Sequence, residues 1–388
     1  MRPLFVRAAR AALAAFAALA AFAFVPSPTH AQSGAFIVRL GVDTVVVESY
    51  ATSGDQITGT LVRRTPITTV TKYTITLGAG RMVTGYEQQT FLPNGTPSPN
   101  APAKLSMSFT GDSVVRHVMQ NGQPVTLRAA APKGTLPSIG ASWAAYQMQI
   151  HTAKRDGAVY TIGFSPQQAA PTKLDVRLIG ADSAEVVTQG FRTGFRLDQS
   201  MHIARGDGSL TTQKFIVTPV QSVDANAIAM AWGAKEAAGA GLGAASTRDT
   251  LNAVVGGANI WIDYGRPAKR GREIWGKLVP NDTTWRFGAN AATQFKTDKD
   301  VEIGGVTVPA GFYSLWLYPS AGKSYLIVNT QTGQWGTAYD ASKDLVKIPV
   351  EAHMALSTSE ERFRIFLAGD KLMMHWDKGG YGTTIRAK

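Results

Sequence analysis

Along the first half of the chain, apolar and polar residues alternate in short runs separated by polar, glycine-containing breaks. Such runs lie at 44–50, 69–77, 105–109, 113–119, 159–164, 173–179 and 213–218, and a period of two is the pattern of a strand with one face buried. The breaks include Asn94-Gly95, Asn121-Gly122, Asp156-Gly157 and Asp207-Gly208, pairs that accept the positive φ of tight hairpin turns. Strands joined in this way pair antiparallel with their neighbours. One stretch departs from the pattern. Ile139, Trp143, Tyr146 and Ile150 recur at helical spacing, which predicts a helix over about 136–152 that lays an apolar stripe across the sheet.

The second half returns to alternation at 258–264, 311–318, 324–329, 345–350, 362–367 and 372–376, with Gly304-Gly305 and Gly369-Asp370 as turns. Six of the eight tryptophans fall in this half, and large aromatics at strand positions fill the layer between packed sheets. The expected fold class is therefore all-β and mainly antiparallel. It comprises an N-terminal antiparallel sheet with one crossing helix, over 32–224, and a C-terminal β-sandwich, over 248–388. Residues 225–247 are rich in Ala and Gly and read as a linker, helical at its Ala-rich start.

Composition alters the picture chiefly at the N-terminus. Arg2, Arg7 and Arg10 precede an apolar run over 11–25, which Pro26 and Pro28 end before Thr29-His30-Ala31. That is the order of a signal peptide over 1–31, and the run is shorter than the ~20 residues a membrane-spanning helix needs. The expectation is an exported protein, periplasmic or secreted, cleaved near Ala31, with no transmembrane segment afterwards. The chain has no cysteine, which excludes a disulfide scaffold, a thiol nucleophile and a thiolate metal site. Its net charge is +12, spread evenly over both halves rather than gathered in a stripe, so nucleic acid is not an expected partner.

The second half also carries a set of ordered segments: Ile262 to Pro267, Gly271 to Gly276, Leu278 to Pro280, Trp285 to Thr293, Val308 to Leu315, and Asn329 through Gln334-Trp335-Gly336. Together they resemble the bacterial family called domain of unknown function 2911, over roughly residues 247–388. The resemblance implies a fold and an exported bacterial context, and no reaction. The N-terminal part resembles no family strongly, although a sheet with a crossing helix is similar in architecture to the half-barrels of periplasmic lipoprotein carriers.

The candidate chemistry clusters in the resembling region. Arg266 sits before Pro267, which ends a strand with a guanidinium at its tip; Arg272 follows shortly. Arg286 lies beside Trp285, with Asn290 and Thr293 three to four residues apart beyond it. If a helical turn begins there, the three polar groups share one face and suit a carboxylate, a phosphate or a sugar hydroxyl. The alternative is a structural clasp in which Arg266 and Arg286 pair with Asp263, Asp282 or carbonyls. No metal site is expected, since the histidines are scattered and His375 with Asp377 is the lone near-pair; no cofactor is expected either. Ser142, in Gly140-Ala-Ser142-Trp-Ala144, lacks the strand that a nucleophile elbow requires. These readings favour a non-enzymatic envelope or secreted ligand-binding module. The alternatives are a hydrolase acting on a glycan or other envelope substrate, and a carrier of lipid or another apolar ligand in the N-terminal sheet.

Overall fold

Alternating strands with positive-φ turns between them have one simple outcome, a meander in which each strand pairs with the next. The computed structural model describes residues 32–99, 104–120, 122–188, 191–209, 211 and 214–388; the expected signal peptide, and Asn121 of the expected Asn121-Gly122 turn, lie outside them. Strands take 56% of the structure and helices 10%, so the class is all-β.

In the N-terminal body fifteen strands form one sheet. Eight of them run in sequence from Gln32–Leu40 to Gln123–Ala130, and seven more return from Leu136–Pro137 to Phe215–Val220. The first and last strands close the meander by pairing Ala35 with Val220 through Leu40 with Phe215. The two free edges, Gln123–Ala130 and Leu136–Pro137, are not paired with each other, which leaves a nearly closed barrel. Pairing is antiparallel except at Leu136–Pro137 beside Val159–Ile162.

The expected crossing helix exists and fills the barrel. It is α1, Trp143–Asp156, and it begins later than Leu136 because Leu136–Pro137 is extended and Ala141 has φ 63°. Ser142 caps it by accepting from the Ala145 amide at 3.1 Å, so Ser142 is a cap rather than a residue of the helix interior. Asp156-Gly157, read as a hairpin, is instead the helix end, with Gly157 at φ 72°; a left-handed C-cap asks for the same backbone freedom as a hairpin turn. Trp143, Ile150 and Ile139 all enter the core with Ile75, Tyr86 and Phe195.

The Ala-rich start of the expected linker is a true helix, α2, Ala225–Ala237, capped by Asp224. It packs Ala225, Ala229 and Trp232 on Val47, Val62 and Val70, on the outer face of the sheet. Only the stretch after it, up to residue 245, is irregular.

The C-terminal body is an eleven-stranded antiparallel sheet folded back on itself. One layer contributes Ile262, Phe295 and Leu315, the other Phe363, Met374 and Trp376, and these six side chains meet in one core. The layers are stitched where the Tyr264 hydroxyl donates to the Ile365 carbonyl at 3.3 Å. Gly304-Gly305 and Gly369-Asp370 both lie at hairpin turns, as their sequence suggests.

Candidate ligand-binding cleft

The two bodies meet at a tight contact. The hairpin after the first strand turns at Gly41, with φ 64°, and a side chain there would come within 1.9 Å of the Arg270 carbonyl. The Val42 amide donates to that carbonyl at 3.1 Å. Arg270, 5% exposed, donates to Asp43 at 3.0 Å and to the Leu242 carbonyl at 3.2 Å. A buried guanidinium tied to both bodies fixes their relative placement.

Beside this contact lies a cleft of about 840 Å³. Its N-terminal wall carries Leu40, Arg63, Trp143, Tyr146, Lys214 and Phe215; its C-terminal wall carries Arg272, Trp285, Arg286, Asn290, Trp335 and Trp376. The volume falls within the range of about 300–1,000 Å³ typical of small-molecule sites. Trp143 stacks on Tyr146 at 4.9 Å and meets Phe215 edge-on at 5.3 Å. Across the cleft Trp285 stacks on Trp376 at 6.1 Å. The walls are thus the exposed ends of the two hydrophobic cores.

The polar groups are unbalanced. Arg63, Lys214, Arg272 and Arg286 line the cleft, and no aspartate or glutamate does among the described residues. Arg286 forms no ion pair among these residues; its one hydrogen bond is a long one, from Nη1 to the Asn290 carbonyl at 3.4 Å. Burial lowers its affinity for a proton. Burial, together with Arg270 nearby, lowers Arg272 to about 10, with Glu361 opposing; its guanidinium donates to the carbonyls of Lys269, at 2.9 Å, and Ala268. Lys214 donates to the Ser209 carbonyl at 2.6 Å. The indole Nε1 atoms of Trp143 and Trp376 are buried without any acceptor. Buried donors of this kind ordinarily find partners.

Arg286 is held out into this space by its loop. The Trp285 and Leu317 backbones exchange hydrogen bonds at 2.7 and 2.8 Å. The loop then passes so close to Gly265 that a side chain there would meet the Ala289 carbonyl at 2.2 Å. The helical turn considered for 286–293 does not form: Phe287 and Asn290 take φ of 53° and 63°, and the chain runs irregularly to the strand Thr293–Thr297. Asn290 therefore reaches the cleft rim by its loop and not through a helix face.

The structure brings Arg272, Trp285, Arg286 and Asn290 to the cleft. It places Arg266 and Thr293 elsewhere. Arg266 donates to Asp249 at 2.9 Å and to the Phe363 carbonyl at 3.1 Å, a clasp between layers. Its acid is Asp249 and not Asp263, which is taken by Arg248. Thr293 is fully buried and donates to the Phe287 carbonyl at 2.6 Å. Arg63, Trp143, Lys214 and Phe215 did not enter the candidate set; they lie more than 50 positions away in sequence and reach the cleft only because the bodies dock.

Two other candidate groups are committed to structure. Ser142 donates to Glu48 at 2.6 Å, and Glu48 also accepts from Tyr73 and from the Trp143 and Ala144 amides at 2.7, 2.6 and 3.1 Å. His375 packs its ring against Phe366 at 4.9 Å, while Asp377 accepts from Lys269 and Ser359 at 2.6 and 2.7 Å. The pair does not converge on a shared ligand.

Residues 246–385 match the model of a family described as "Protein of unknown function (DUF2911)"; no family model matches the N-terminal body. No curated protein matches the chain. Among solved structures the chain is similar, at 11% identity and a TM-score of 0.31, to a beta-barrel-like protein of domain of unknown function DUF1849 from Brucella abortus, over 49% of this chain and 96% of that one.

Proposed function

We propose that this chain is an exported, non-enzymatic ligand-binding module whose ligand sits in the cleft between its two bodies. Export rests on the basic, then apolar, then small-residue order of the first 31 positions. The observation that carries the binding reading is the cationic lining. Four cationic side chains surround one space without a carboxylate among the described residues. A ligand rich in acceptors, such as an organic anion, completes these groups.

The same lining speaks against hydrolysis of a glycan in this cleft, because that chemistry uses a pair of carboxyl groups flanking the scissile bond. A second reading has an observation of its own. A space of about 530 Å³ beside α1 is lined by Tyr50, Ile57, Leu77, Leu136 and Met148 together with Arg81, His151, Arg155 and His202, and its apolar side suits an apolar ligand in the N-terminal body.

A thermal-shift screen of organic anions tests the main reading. The expected result is that at least one anion raises the melting temperature and that Arg286→Ala removes the shift. A shift that survives both Arg286→Ala and Arg63→Ala, or a panel without any shift, overturns it.

A further inference from the structure

We infer that the ligand of this cleft is an amphiphilic anion, a single acidic headgroup on an extended apolar body. The inference rests on the binding reading above and names its ligand class. The donors alone call for an anion, but they do not fill the space. About 840 Å³ is far more than a phosphate or a small carboxylate occupies, and much of the rest of the lining is aromatic. Trp143, Tyr146 and Phe215 form a continuous ring cluster on one wall, and Trp335, 49% exposed, projects from the other. A small hydrophilic anion leaves this surface in water and gains nothing from it.

A neutral lipid fails for the opposite reason. It covers the aromatic walls and buries the half-buried Arg286 still deeper without giving it an acceptor. That outcome is costly for any buried donor, and more so for a charged one. A cationic amphiphile adds repulsion from Arg63, Lys214, Arg272 and Arg286. One class meets both requirements: an oxyanion that accepts from Arg286 and its cationic neighbours, with an apolar chain along the rings. The headgroup chemistry is shared by a free acyl carboxylate and by a lipid phosphate, and the two sources separate in the test.

The test is calorimetric titration of the full chain with probes that vary head and tail independently, each below its micelle concentration. Dodecanoate and dodecyl phosphate carry the anionic headgroup of the two sources. Dodecanol and dodecyltrimethylammonium keep the tail and change the charge, while acetate and inorganic phosphate keep the charge and lack the tail. One of the two anionic amphiphiles is expected to bind at least about tenfold more tightly than dodecanol, the difference expected for a hydrogen-bonded charge. Which of the two binds better identifies the source.

Arg286→Ala is expected to erase that advantage, and Phe215→Ala, which removes a ring from the apolar wall, to weaken binding of the long-chain probes a few-fold. Arg63→Ala, at an exposed side chain, serves if Arg286→Ala does not fold. Equal binding of dodecanol and dodecanoate, or binding indifferent to both arginine variants, overturns the inference. Arginine-dependent binding of acetate or phosphate at the strength of the long-chain probes also overturns it while leaving the binding reading intact. Silence of every probe here together with silence of the wider anion screen removes both.

Discussion

The interior of the N-terminal barrel and the cleft beside it both hold buried or half-buried charge, and they treat it in opposite ways. Inside the barrel Glu48 is fully buried and receives four donors, from Ser142, Tyr73 and the first two amides of α1. Arg116, 2% exposed, donates through its two Nη atoms to the carbonyls of Gly163, Ser165 and Gln168 at 2.9, 3.2 and 2.8 Å, and only its Nε is left without a partner. These are anchors: a charge buried at high cost is tolerable when hydrogen bonds surround it. In the cleft Arg286 has one long hydrogen bond and no ion pair among the described residues. The difference separates a polar group that holds the fold from one that awaits a partner.

The contrast is sharpest in Glu48→Ala. It strands four donors, Tyr73 and three at the N-terminus of α1, and a loss of about 3–5 kcal/mol is expected in urea unfolding; a loss below about 1 kcal/mol would mean that α1 is held by apolar packing alone. Next comes Gly41→Ala, which meets both a positive φ and the Arg270 carbonyl. A loss of about 1–3 kcal/mol is expected, together with faster proteolysis between residues 238 and 245, the irregular stretch that joins the bodies. Unchanged cleavage would show that the bodies are not fixed at this contact.

A pH effect follows from the same carboxylate. Burial raises the Glu48 pKa above its ordinary 4.5, with its four donors opposing. The folded protein therefore holds that proton more tightly than the unfolded chain. The contribution to stability is full below about pH 4.5 and is lost as pH rises through the folded value. Stability is expected to fall over that interval in the native protein and to run flatter in Glu48→Gln; a slope unchanged by the substitution would assign the effect to another group. The smallest expected change is that of Arg286→Ala on the ligand-free protein. Nothing but one carbonyl depends on its charge, so a shift within about 0.5 kcal/mol is expected. A loss of several kcal/mol would make Arg286 an anchor like Arg116.

The parts of the molecule that sequence makes legible are those set by local pattern. Alternation and positive-φ pairs give the antiparallel bodies, and the Trp143, Tyr146 and Ile150 stripe gives the helix across the barrel. Pro137 and the left-handed Ala141 hide where that helix begins, since both lie within a run of helical spacing. The Ala-rich start of 225–247 reads as helical within a linker, and helix α2 forms there; that it packs on the sheet through Trp232 is not legible, because an Ala-rich stretch shows little amphipathic period. In the cleft, Trp285, Arg286 and Asn290 are visible as one short cluster. Arg63, Trp143, Lys214 and Phe215 are not, because only the Gly41 and Arg270 contact carries them to the same place. Arg266 shows the same limit from the other side, since its partner Asp249 comes from the neighbouring strand by register and not by proximity in sequence.

The most direct test of the cleft as a ligand site is a crystal structure of the protein grown with dodecanoate. The account predicts the carboxylate within hydrogen-bonding distance of Arg286, with the chain along Tyr146 and Phe215. Dodecanoate lodged instead between α1 and the sheet, or Arg286 paired with a carboxylate of the protein itself, would contradict it.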